Sequence, residues 1–520
     1  MRTIHLSMVL SLCCALVACD DESPVAPLGT PRQPIVLDEQ VVFVDPELKQ
    51  AFLLDLEASR PKAETVSYNL PPQANVGAAR LGDHNEALIL CSGERESVDT
   101  EAAQAALVVI AGDGKRREYE LGTTAFNTLT QSEDGRYAIA YRVGSTQGRT
   151  LDNPNELIVI DLDKDPDADG AVTRKTPAGL GHTLTRVLVS PSMTIADEDR
   201  RLLVLLSAAE VSIFDLNHLD RRATIVQLDD RGNIDPFQVL FSTDQPTLYV
   251  RGTGSDNVFM FRFEPYENDE EGNDFQPSIN PLSAGGVPQD MALFGSGSAE
   301  RLLVLANDRA LVVDPATSKT EIVPLGVSAN RILLFDGRSP HEDRSQKHAL
   351  LYATSENRFV FLDLEVMGDT PSDSVEAIGT EQPIQSLIPL IDGDEKSVVL
   401  LQQSLVTVVD LEMRTLTPIS TSTQLTAAVF DSVRKKLWVG QAGSPYIQSL
   451  ELATGRTGDE LRLDASIKSL LPMFKRDRLL VLHEESLGYV TLVDAEQPDR
   501  EHALSLRGFF VNQLFDRSDR

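Results

Sequence analysis

Short apolar runs recur along this chain, and most of them stop at an acid. The clearest read "AFLLDL" at 51–56, "ELIVIDL" at 156–162, "VSIFDL" at 211–216, "ALVVDP" at 310–315, "FVFLDL" at 359–364, "VTVVDL" at 406–411 and "VTLVDA" at 490–495. Weaker copies are "LVVIAG" at 107–112, "VFMFRF" at 258–263 and "QSLEL" at 448–452. Each run follows another apolar run, such as "RLLVLLS" or "KSVVLLQQ", and before that a strand closing in a turn, such as "QVLFSTD" or "RILLFDGR". After it comes a turn and an alternating segment, such as "KTEIVPLG" or "RATIVQLD". Each unit therefore predicts four short β-strands separated by Asp, Gly and Pro turns. Strands apolar throughout suit sheets covered on both faces, and the alternating last strand suits one face in water.

Measured between their ends, successive runs stand 41 to 56 residues apart. That period belongs to the blades of a β-propeller. The expected fold is all-β: a single β-propeller of four-stranded blades, seven to ten in number. Nine units are continuous, and a tenth is split between the chain ends. "QVVFVD", "AFLLDL" and "AETVSYNL" near the start match second, third and fourth strands, and "FFVNQLFD" at 509–516 matches a first strand. The ring is thus expected to close by pairing of its N- and C-terminal strands, which would leave no sheet edge exposed.

Local stretches carry family resemblances. "SEDGRYAIAY" at 132–141 is similar to the S-P-D-G-R repeat of TolB-like propellers, with Glu133 in the proline position. "SLELATGRTGDELRL" at 449–463 resembles the repeat of quinoprotein-type and outer-membrane assembly propellers, and "LIVIDLD" and "VTVVDLEMR" resemble the YVTN-type repeat. Each covers one or two blades, and together they imply the fold without a family.

The first residues follow a different pattern. Arg2 precedes a mostly apolar stretch at 4–17 that has the length of a signal-peptide core, and acids begin at Asp20. "LVAC" at 16–19 resembles the bacterial lipobox, with Leu16, Val17 and Ala18 before Cys19. The resemblance implies lipid on Cys19 and cleavage before it. Several acyl chains, at ~0.8 kcal/mol per buried CH₂, hold a protein to a membrane far more firmly than one. The domain reading is a lipoprotein signal peptide at 1–18, a lipid-anchored flexible tether at 19–38, rich in Pro and acid, and the propeller at 39–520. Localisation follows: the bacterial cell envelope, facing the periplasm or the exterior.

Composition narrows the partners. A net charge of −32 repels phosphate backbones, so nucleic-acid binding is not expected. Of four cysteines only Cys91 lies beyond residue 19, which excludes a disulfide framework, and its apolar surroundings "ALILCSG" predict a buried free thiol. The single tryptophan, Trp438, is read as packing between blades.

Candidate chemistry is sparse. The Asp that recurs at the end of the third strand is expected to bond its own turn. In "DLDKDPDADG" at 161–170, Asp165, Asp167 and Asp169 alternate before Gly170 as in the first half of a calcium loop, yet Thr176 stands where such a loop needs Glu. Calcium is the one cofactor the sequence raises. No H-E-x-x-H pair or G-x-S-x-G elbow occurs. The function expected is a lipid-anchored, non-catalytic protein-binding module. The alternatives are an envelope hydrolase or lyase with its site at the propeller channel, and a calcium-stabilised surface adhesin.

Overall fold

The computed structural model describes residues 34–507 and 515–516, except 39, 47–48, 56–64, 94–102, 123–125, 145–154, 178–183, 229–233, 267–273, 339–344, 366–370, 393–394, 422–423, 442, 474–476 and 485–488. Among them, ten antiparallel sheets of four or five strands follow one another along the chain, with strands ordered as in the sequence. We number them blades 1 to 10, spanning 35–69, 74–122, 128–175, 186–227, 236–283, 290–324, 331–379, 386–420, 427–462 and 467–507.

Strand periodicity explains how uniformly apolar runs are used. Along a strand successive side chains point to opposite faces. In blade 1, Val41, Phe43, Phe52 and Leu54 meet Leu480, Leu482, Val490 and Leu492 of blade 10. The intervening Val42, Val44, Ala51 and Leu53 meet Ala87, Ile89, Val108 and Ile110 of blade 2. Both faces are buried, so no polar alternation survives. The outer strand Arg116–Gly122 does alternate, with Tyr119 and Leu121 buried around an exposed Glu120.

The described residues form ten such cores, each shared by two neighbouring blades. A row of ten sheets would have nine. The tenth, between blades 10 and 1, closes the ring. Cys91 is buried in the blade 1–2 core outside any disulfide, and Trp438 is buried between blades 9 and 10, both as expected.

Closure differs from the expectation. Phe515–Asp516 pairs with Leu506 and Arg507 as a fifth strand on the outer edge of blade 10. The inner strand of blade 1 is Ile35–Val36, which pairs with Val41 and Val42. The propeller therefore begins inside the stretch assigned to the tether at 19–38. The reason lies in Ile35 and Leu37, which are 4% and 6% exposed and complete the blade 1–2 core. Signal peptide, lipobox and Cys19 lie outside the described residues.

Blade 4 carries an insertion between its first two strands. Met193–Ile195 and Glu198–Arg200 form a separate hairpin. Its two turn residues, Ala196 and Asp197, have φ of 52° and 62°, the backbone of a tight turn that matches strand twist. Among the described residues no helix is long and apolar enough to cross a membrane.

Candidate functional site

The recurring aspartates are built into the turns. Asp215 Oδ1 accepts the Asn217 N–H at 2.8 Å, and Asp314 Oδ1 accepts that of Ala316 at 2.9 Å. Asp410 Oδ1 accepts from Glu412 and Met413, and Asp494 Oδ1 from Glu496 and Gln497. These are the turn bonds expected of Asp in this position.

The second carboxylate oxygen has a job the sequence reading missed. Arg136 reaches Asp161 Oδ2 at 3.1 Å, Arg200 reaches Asp215 Oδ2 at 2.8 Å, Arg301 reaches Asp314 Oδ2 at 3.4 Å and Arg478 reaches Asp494 Oδ2 at 3.1 Å. Each arginine stands at or just before the start of the second strand of its blade. Antiparallel register puts that point beside the end of the third: Arg478 pairs with Asp494, and Leu302 with Val313, next to Arg301 and Asp314. The signal was present as "GRYAIAY", "RRLLVLL", "ERLLVLA" and "DRLLVLH". In blade 7 His348 takes the arginine's place, with Nδ1 2.7 Å from Asp363 Oδ1.

Several charges reach across to the next blade. Arg200 also bonds Asp274 of blade 5, and its side chain is 1% exposed. Arg414 of blade 8 bonds Asp363 of blade 7 and, at 2.8 Å, Glu376. Glu300 of blade 6 accepts from Ser242 Oγ at 2.6 Å and from the Tyr249 hydroxyl at 3.2 Å, both of blade 5. Burial pushes the Asp363 carboxyl up, but the His348 hydrogen bond and the Arg414 charge outweigh it and hold the group below the ordinary range. Burial, then the negative charge of Glu300, push the Tyr249 hydroxyl well up.

The innermost strands are mostly apolar. "RVLV" at 186–189, "RILLF" at 331–335 and "AAVF" at 427–430 are typical, and no histidine, cysteine or glutamate stands on any of the ten. The buried histidines lie elsewhere and are bonded. His348 Nε2 donates to the Gly337 carbonyl at 3.2 Å. His483 Nδ1 donates to the Ala465 and Ser466 carbonyls, and its Nε2 stands 2.7 Å from Thr491 Oγ1. Burial lowers the His483 pKa, which keeps this ring neutral.

A polar cleft of about 560 Å³ opens between blades 3 and 4, on the face where first strands turn into second and third into fourth. Its charged walls are Asp134, Arg136, Asp161 and Lys164 from blade 3 and Asp199 and Arg201 from blade 4. The loop 161–170 forms one rim. Asp165, Asp167 and Asp169 are all exposed there. Among the described residues no group of three His, Cys, Asp or Glu side chains is placed to hold a metal. The loop instead closes on itself: Ala168 N–H donates to the Asp165 carbonyl at 2.9 Å, and Lys164 Nζ to the Asp169 carbonyl at 3.1 Å.

No protein-family model and no curated protein matches the chain. Among solved structures it is similar to a dihydro-heme d1 dehydrogenase, NirN, in complex with DHE, at 10% identity and TM-score 0.42 over 86% of this chain and 78% of that one. It is also similar to Citrobacter koseri AztD, at 12% identity and TM-score 0.36 over 80% of this chain and 92% of that one. Likeness at this level carries no argument; the propeller assignment stands on the sheet order and the ten cores.

Proposed function

We propose that this chain is a lipid-anchored propeller of the bacterial cell envelope that acts as a non-catalytic scaffold, binding a protein partner through the turns of one ring face. One observation carries the reading: the strand-end carboxylates and buried histidines described above are engaged in turns, clasps and blade-to-blade bonds. Acid–base or nucleophilic catalysis needs such groups converging, free, on one cavity. Rigid discs with variable turns suit recognition. Membrane attachment rests on "LVAC" at 16–19.

Met413 and Val433 are large apolar side chains, 69% and 65% exposed, on turns of blades 8 and 9 that share one face of the ring. A photo-crosslinking residue at each position in living cells is expected to capture the same envelope protein. If neither position yields a protein adduct, the scaffold reading fails. Cys19→Ala is expected to release the protein from the membrane fraction; firm retention after signal removal overturns the lipid anchor.

A further inference from the structure

The cleft between blades 3 and 4 has a charge balance that selects a ligand. Its lining carries three cations, Arg136, Lys164 and Arg201, and three carboxylates, Asp134, Asp161 and Asp199. Two pairs are closed. Arg136 bonds Asp161, and Arg201 of blade 4 bonds Asp134 of blade 3. The remaining oxygens of those carboxylates are also taken: Asp134 Oδ1 accepts from Ser132 Oγ at 2.7 Å and Asp161 Oδ1 from the Asp163 N–H at 3.3 Å.

Among the described residues two charges of the lining have no counter-ion, one on each wall. The Lys164 ammonium on blade 3 donates only to the Asp169 carbonyl. It lies over bare backbone, since a Cβ built on Gly170 would come within 3.0 Å of Lys164 Nζ. On blade 4 the Asp199 carboxylate accepts only from Thr194 Oγ1, at 2.9 Å. The same lining includes Val159, Leu216 and Leu219.

A free oxyanion gains little here, because the lining is neutral in sum and the chain as a whole carries −32. A molecule with one positive and one negative end satisfies both unpaired groups at once. We propose that this cleft binds a small zwitterion of the amino-acid or dipeptide class, its carboxylate on Lys164, its ammonium on Asp199 and its apolar part against Leu216 and Leu219. The volume of about 560 Å³ suits such a ligand. The site is independent of the protein-binding role and of the lipid anchor.

Calorimetric titration of the full, detergent-solubilised protein tests it with four probes. L-leucine and alanyl-leucine keep both charges; leucinamide lacks the carboxylate and N-acetyl-leucine lacks the ammonium. Both zwitterions are expected to bind, and each one-charge analogue to bind at least about tenfold more weakly, the loss for one charged hydrogen bond. Lys164→Gln is expected to abolish the preference over leucinamide while leaving that over N-acetyl-leucine. Asp199→Asn is expected to do the reverse. Neither residue joins a clasp between blades, so both variants should melt with wild type. The proposal is overturned if no zwitterion binds the folded protein, if all four probes bind alike, or if the two variants lose both preferences together.

Discussion

The Arg200 guanidinium stands 2.8 Å from the Asp215 carboxylate, with side-chain exposures of 1% and 3%. Asp215 Oδ1 holds its own turn through Asn217, and Arg200 reaches on to Asp274 of blade 5. One arginine thus ties a strand end, a turn and the neighbouring blade. Removing one partner of a buried pair leaves the other charge uncompensated, at roughly 3–5 kcal/mol. Arg221 stays 2.8 Å from Asp274 and 3.9 Å from Asp215, so Arg200→Met is expected to cost the lower end of that range, roughly 3 kcal/mol, in urea unfolding. The double variant Arg200→Met with Asp215→Asn should be milder than the two single losses summed, because the stranded charge is gone.

The clasp between blades 7 and 8 should set acid sensitivity. His348 and Arg414 hold the Asp363 pKa below its usual 3.8 against the upward push of burial. A carboxyl depressed in the folded state stabilises above its unfolded pKa and loses that contribution as pH falls through the folded value. Arg414→Met removes one of the two opposing influences, so Asp363 should take up its proton at higher pH. The acid-unfolding midpoint, followed by circular dichroism, is expected to move upward. A midpoint unchanged or lower in the variant would contradict the assignment.

His483 adds a second loss of stability on acidification, in blade 10 and at higher pH. Its ring is kept neutral, with a pKa lowered from 6.5 first by burial. As pH falls through 6.5 the unfolded chain takes up a proton that the folded ring refuses, so stability declines toward the folded pKa and is complete above 6.5. Melting temperature should fall between about pH 7.5 and 5.5, and His483→Gln should flatten that part of the profile. An equal slope in the variant would show that another group is responsible.

Much of the ring was legible because its signal is local. Each third strand is contiguous and most end at a turn acid, so "FVFLDL" and "VTVVDL" mark blades without any long-range information. The arginine clasps were equally local, yet Arg301 and Asp314 become neighbours only once the register of two strands is known. Closure was misread because "FFVNQLFD" has the composition of an inner strand, whereas Ile35–Val36 is too short to stand out. Asp165, Asp167 and Asp169, whose alternation resembles half a calcium loop, are all exposed in the folded loop, where Lys164 bonds the Asp169 carbonyl. The cleft beside that loop was invisible, since its two walls come from different blades.

The closure finding can be tested directly. If the terminal strand held the ring shut, deleting residues 508–520 would open it. The structure assigns that task to side chains: Phe52, fully buried, and Val41, Phe43 and Leu54 press against Leu480, Leu482, Val490 and Leu492. Phe515–Asp516 contributes only a two-residue pairing on the outer edge. Truncation after Arg507 is therefore expected to cost about 1–2 kcal/mol, the worth of a few net hydrogen bonds. Phe52→Ala leaves a cavity in the seam itself, at roughly 3–5 kcal/mol. Hydrogen exchange should locate the damage, with blades 1 and 10 losing protection first in Phe52→Ala and the truncated protein retaining it. The reverse order of severity would restore strand pairing as the closure.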